Sequence, residues 1–262
     1  MIRSPIITVM EQAARKAGRT LVRDFGEVEN LQVSLKGPAN FVSAADRRAE
    51  EIIHAELAKS RPDFSFLMEE RGPVPGKDSS NIWVVDPLDG TTNFLHGIPL
   101  FAISIALVKD GMPQAGLIFN PVTDELFVAE RGKGAFLHNR RIRVAARREL
   151  ANCVVTCGIP HRGRGDSARF RRELASVQDQ VAGMRRTGAA ALDMAWIAAG
   201  RFDGYWERGL SAWDLAAGLV ILREAGGFAT DTDGGDAILD DGSVVAGNED
   251  IQRALLVLLR TA

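Results

Sequence analysis

Apolar residues recur at helical spacing from the start of the chain. Ile6, Ile7, Met10, Ala13, Ala14, Ala17, Leu21 and Val22 share one face, with Arg15, Lys16, Arg19 and Arg23 on the others, so an amphipathic helix is expected. Lys36-Gly37-Pro38-Ala39-Asn40 reads as a turn. Ser43-Ala44-Ala45-Asp46 then has the form of a capping box opening a second helix through Ala49, Ile52, Ile53 and Leu57. The period next shortens to two: Phe64, Phe66 and Met68 alternate with Ser65 and Leu67 in a strand that ends on Glu69-Glu70. Residues 71–80, rich in Gly, Pro and polar side chains, are expected to form a loop. Trp83-Val84-Val85 reads as a short buried strand that delivers Asp86 to an edge and is stopped by Pro87.

From residue 100 the pattern becomes a meander, with strands expected at 101–109, 112–119, 125–130 and 135–144. This antiparallel sheet is expected to pack on the first two helices. The second half alternates instead: strands at 153–157, 184–187, 204–207 and 243–246, and helices at 168–180, 189–199, 215–225 and 248–259. Gly226-Gly227 stops the strongly apolar third helix of that set. Alternation beside a meander implies two sheets interleaved with helix layers. The weakest seam, near 147–152, divides an N-terminal α+β lobe, 1–150, from a C-terminal α/β lobe, 151–262.

Composition narrows the classes. With 262 residues and 46% hydrophobic content the chain can bury a sizeable core. A net charge of -2 gives no global basic field, which disfavours nucleic-acid binding by bulk electrostatics. Arg140, Arg141, Arg143, Arg147 and Arg148 form the one dense basic run, and their alternation with Ile142 and Val144 reads as a solvated strand face. Cys153 and Cys157 read as small buried residues of a protein in a reducing compartment. With no signal peptide or membrane-length apolar run apparent, a cytoplasmic protein with no membrane association is expected.

The chemistry lies in where the acids fall. Asp46 and Asp214 sit at helix starts, Glu69 and Glu70 at a strand end, and Asp86 and Asp89 around a strand-to-helix turn followed by Gly90-Thr91-Thr92. A purely structural account makes Asp46 and Asp89 helix caps and Asp86 a turn cap. If the acids converge instead, they cannot all stay ionised without cations. Carboxylates with a carbonyl and water suit Mg²⁺ or Mn²⁺ better than zinc or copper. Such ions support hydrolysis of a phosphate ester, and the amides at Gly90 to Thr92 offer a phosphate pocket.

Glu69-Glu70, the run from Asp86 through Pro87-Leu88-Asp89-Gly90-Thr91-Thr92-Asn93 to Phe94, Trp213-Asp214-Leu215-Ala216-Ala217-Gly218 and Glu224-Ala225-Gly226-Gly227 together resemble the inositol monophosphatase family in motif, order and spacing. The resemblance extends to Lys36, Asp46, Gly132 to Phe136 and Gly188 to Asp193, with the bacterial inositol-1-monophosphatases the nearest group. It implies an α+β fold, a layered αβαβα sandwich of the inositol monophosphatase and fructose-1,6-bisphosphatase type. It also implies a homodimer and lithium-sensitive catalysis with two or three Mg²⁺ ions, for which Mn²⁺ could substitute.

Carried over by residue, the resemblance makes Glu69, Asp86 and the Leu88 carbonyl ligands of a first ion, and Asp86, Asp89 and Asp214 ligands of a second. A third, weaker ion would lie near Glu69. Thr91 with Glu69 would orient the attacking water, supported by Asp46, while the Gly90 and Thr91 amides grip phosphate. Asp89, Ala190, Glu207 and Asp214 would face the alcohol of a small phosphorylated polyol. A surface strand acid is the lesser alternative for Glu207, and Glu70 could be a neighbour rather than a ligand.

Two positions depart from the family pattern. Ala45 stands where many members have threonine, and Ser211 where the animal enzymes have histidine. Relatives with the same metal core hydrolyse fructose 1,6-bisphosphate, histidinol phosphate or 3'-phosphoadenosine 5'-phosphate; motif closeness favours inositol 1-phosphate. Some bacterial relatives are associated with RNA polymerase antitermination complexes. The Arg140 to Arg148 run offers a surface for such a contact, which the net charge does not support.

Overall fold

The computed structural model describes residues 4–27, 33–35, 41–160 and 165–262. The first helix, α1 (Pro5–Phe25), is followed by a small hairpin, β1 (Val33–Leu35) and β2 (Phe41–Ser43), and by α2 (Ala44–Ser60). The expected turn at 36–40, with Lys36, lies outside the described residues. Then come β3 (Phe64–Met68), β4 (Gly72–Val74), β5 (Asp78–Asp89), the short α3 (Thr91–Leu95), β6 (Ala102–Lys109), β7 (Met112–Asn120), β8 (Glu125–Glu130), β9 (Gly134–Leu137) and β10 (Arg140–Arg141). These strands form an eight-stranded sheet in the order β10-β9-β8-β7-β6-β5-β3-β4, in which only β3 and β5 pair in parallel.

The second half gives β11 (Val154–Cys157), α4 (Ser167–Gln178), β12 (Gly183–Arg185), α5 (Ala190–Ala198), β13 (Gly204–Arg208), α6 (Ala212–Glu224), β14 (Phe228–Thr230), α7 (Ile238–Asp241), β15 (Ser243–Gly247) and α8 (Glu249–Thr261). Its sheet runs β12-β11-β13-β15-β14.

The amphipathicity of each helix matches its layer. One face of α1 and α2 buries Ile7, Met10, Leu21, Ile53 and Leu57 against Trp83, Val85, Ile103 and Leu117 of the large sheet. On the far side, α4 and α8 cover the small sheet with Phe170, Val177, Ile251 and Leu255. Between the sheets lie α5 and α6, which are apolar almost all round because both faces are covered. Every residue from Leu215 to Leu222 of α6 is buried. The result is five layers, αβαβα, in an α+β fold.

Four local expectations need correction. Residues 71–80 contain β4 and the start of β5: β4 is an edge strand, where Pro73 opposite Leu67 can be accommodated without an N–H. Pro87 does not stop β5; its register against β6 shifts between Asp86 and Asp89, and pairing resumes at Asp89 opposite Ala102. The strand expected at 135–144 is a hairpin, β9 and β10, turning where His138 takes φ 53°. Beyond Arg141 the basic run is irregular chain, with Ile142 and Val144 packed on the core and Arg140, Arg141 and Arg143 exposed. The short β14 and α7, each of four residues or fewer, carried too little periodicity to be expected.

Candidate active site

Parallel pairing of β3 with β5 sets Met68 beside Val85, so Glu69 and Asp86 leave neighbouring strands at the same level. The Glu69 N–H still donates to the Val85 carbonyl, at 3.2 Å. In the irregular end of β5, the Leu88 N–H donates to Asp86 Oδ1 at 2.9 Å. Asp89 Oδ2 accepts the Ala191 N–H at 2.8 Å, in the first turn of α5, so the helix that begins with buried Ala190 also orients this acid.

Gly90 follows with φ 90°. A side-chain carbon there would lie 2.9 Å from the Leu100 carbonyl oxygen and 3.2 Å from Ala189 Cβ, so both conformation and space require glycine. The turn then presents Thr91, whose hydroxyl lies 2.9 Å from the Leu88 carbonyl and 3.3 Å from Asp46 Oδ2, with hydrogen-bond geometry to each. Asp46, in the first turn of α2, is 1% exposed.

Asp214 arrives from the other side, at the start of α6. Its Oδ2 accepts the Ser211 N–H at 2.7 Å, so one oxygen serves as the helix cap. Ser104 Oγ on β6 donates to the Trp213 carbonyl at 3.0 Å, fixing this helix start to the large sheet.

The acids fall into two groups. Asp86, Asp89 and Asp214 each offer an oxygen within 4.8 Å of the others, as do Asp46, Glu69 and Glu70. Burial, reinforced by Glu69, Asp89, Asp214 and Asp46, pushes the Asp86 carboxyl far above its ordinary range. Burial and Asp214 do the same to Asp89, opposed by the Ala191 N–H. So concentrated a set of oxygen donors has the chemistry of a hard divalent-cation site, and bound cations would relieve the mutual repulsion. Glu70 also forms an ion pair with Arg47 at 3.7 Å.

Glu207 lies on β13 within electrostatic reach of Asp89 and Asp214, with its carboxylate packed directly over Gly158. Burial lifts it to about 8, while the Tyr205 hydroxyl donates to it and counters part of that rise. Next to it, Asp193 of α5 accepts from Thr156 Oγ1 at 2.9 Å and is lifted by burial to about 7.

Sequence reasoning assigned no role to Asp193, Tyr205 or Glu50, and all three are buried. The signal for Glu50 was present: it shares a helical stripe with Ala49, Ile53 and Leu57. The contact of Asp193 with Thr156 joins residues 37 positions apart and left no local signal. Among the described residues no helix is long and apolar enough to cross a membrane.

The model of the inositol monophosphatase family matches residues 2–262. The chain is 64% identical over 256 residues to the inositol-1-monophosphatase of Mesorhizobium japonicum, covering 98% of this chain and 96% of that one. It is 42% identical over 254 residues to the Nus factor SuhB of Pasteurella multocida, covering 97% of this chain and 95% of that one. The crystal structure of extragenic suppressor protein suhB from Bartonella henselae has a TM-score of 0.95 at 57% identity, covering 99% of this chain and 100% of that chain. Similarity along the whole length, on a five-layered fold that brings two neighbouring groups of acids together, leads to one conclusion: the chain belongs to the inositol monophosphatase family.

Proposed function

We propose that this protein is a Mg²⁺-dependent phosphate monoester hydrolase whose substrate is inositol 1-phosphate, cleaved by water to inositol and phosphate. The observation that carries this reading is the convergence of Asp86, Asp89 and Asp214 beside Asp46, Glu69 and Glu70. Glu69, Asp86 and the Leu88 carbonyl would hold one Mg²⁺, Asp86, Asp89 and Asp214 a second, and Glu69 a weaker third; Mn²⁺ would substitute. When bound, such ions neutralise phosphate charge and make water nucleophilic at neutral pH.

The chain's own groups do the positioning. Asp46 holds the Thr91 hydroxyl, and Thr91 with Glu69 orients the attacking water. The Gly90 and Thr91 amides grip phosphate, the left-handed turn that only glycine adopts freely aiming them. Asp89, Ala190, Glu207 and Asp214 face the alcohol, Glu207 held in place by Tyr205. We extend the reading to inhibition by lithium, a homodimer and a cytoplasmic location. Relatives named Nus factor SuhB favour a second role in a transcription antitermination complex, which can coexist with hydrolysis.

Phosphate release from a panel of inositol, sugar, histidinol and nucleotide phosphates tests the substrate. Inositol 1-phosphate is expected to give the highest kcat/KM. A higher value for a sugar bisphosphate or nucleotide would overturn that assignment while leaving the hydrolase intact.

A further inference from the structure

Glu50 is an acid that the mechanism above does not use, yet it is only 1% exposed. It lies one helical turn after Asp46 on the same face of α2. Its Oε2 accepts the Glu70 N–H at 2.9 Å, and the Arg71 amide bonds to the same carboxylate. Arg71 Nε approaches its Oε1 at 3.3 Å. Glu50 therefore binds the backbone immediately after Glu69 on one side, while Asp46 binds the Thr91 hydroxyl on the other.

We infer that Glu50 is a positioning residue for the metal ligands. Two acids on one face of α2 form a rigid two-point template: Glu50 fixes the turn from Glu69 to Arg71, Asp46 fixes Thr91, and the helix between them sets the separation of Glu69 from Thr91. A buried carboxylate in this place is spent on backbone amides, an arrangement that orders a turn rather than filling a core. The inference rests on the proposed role of Glu69 as a metal ligand. It adds that the geometry of that ligand is held from a helix which the motifs credit only with Asp46.

The test is Mn²⁺ binding, read from the electron paramagnetic resonance of free Mn²⁺ in titrations of the intact protein and of Glu50→Ala, Glu50→Gln and Ile53→Val. Loss of groups that orient metal ligands weakens binding by about 10- to 100-fold, and that range is expected for Glu50→Ala. Glu50→Gln keeps one carbonyl oxygen for the Glu70 N–H and should fall between the alanine variant and the parent. Ile53, buried on the same helix, serves as the control: Ile53→Val should lower the melting temperature and leave Mn²⁺ binding unchanged. Glu50→Ala binding no more weakly than Ile53→Val would overturn the inference. If the alanine variant does not fold, Glu50→Gln decides, and parental binding in it counts against the proposal. Absence of Mn²⁺ binding in the unaltered protein would sink the hydrolase reading, and this one with it.

Discussion

At the scale of single residues, the site is defined by acids whose surroundings oppose their ionisation. Asp86 and Asp89 are pushed up by burial and by one another's neighbours, and Glu207 and Asp193 are lifted to about 8 and about 7. In the metal-free protein each keeps its proton at a pH where the unfolded chain has released it. That contribution to stability is therefore complete below the ordinary carboxyl range and is lost as pH rises through the folded values. Metal-free protein is expected to melt at a higher temperature near about pH 5.5 than near about pH 8, with each such proton worth up to about 1.4 kcal/mol per pH unit. Glu207→Gln should flatten the upper part of that slope. Scanning calorimetry across the range checks this, and a melting temperature that rises with pH would contradict it.

At the scale of elements, α6 carries Asp214 and is clamped at both ends. Ser104 on β6 holds the Trp213 carbonyl at its start. At its end Glu224 accepts the N–H groups of Gly132, in the turn between β8 and β9, and of Gly134, the first residue of β9, at 2.7 and 2.6 Å. Between these clamps the helix lies so close to β7 that a side-chain carbon on Gly116 would fall 2.5 Å from the Ala217 carbonyl oxygen. Removing this clamp by Glu224→Ala leaves the buried Gly134 amide without its partner, while the exposed Gly132 amide turns to water, and should cost about 1–3 kcal/mol, measured by urea unfolding. A change within error would mean that water replaces the carboxylate at no cost.

The sequence made α6 legible, because an all-apolar segment stopped by Gly226-Gly227 needs both faces covered. It also showed the acids at element ends. It could not show the irregular end of β5: Pro87 reads locally as a strand terminator, and only the pairing of Asp89 with Ala102 carries the strand past it. Contacts such as Asp89 with Ala191 or Asp193 with Thr156 depend on how layers stack and have no local signature.

At the scale of the molecule, the five layers bring together acids separated by up to 168 positions, from Asp46 on an outer helix to Asp214 on a central one. Asp86 comes from the sheet between those helix layers. Glu69 and Asp46 of one acid group, like Asp89 and Asp214 of its own, act electrostatically on Asp86, which places it beside both groups. The most direct test is phosphate release from inositol 1-phosphate as Mg²⁺ is titrated into metal-free protein, with Asp86→Asn alongside. Removing an interaction worth several kcal/mol of transition-state stabilisation lowers the rate by at least about 100-fold. The expected result is hydrolysis that requires Mg²⁺, stops with EDTA and falls at least that far in Asp86→Asn. Turnover that persists in EDTA, or that survives Asp86→Asn at the parental rate, would contradict the account.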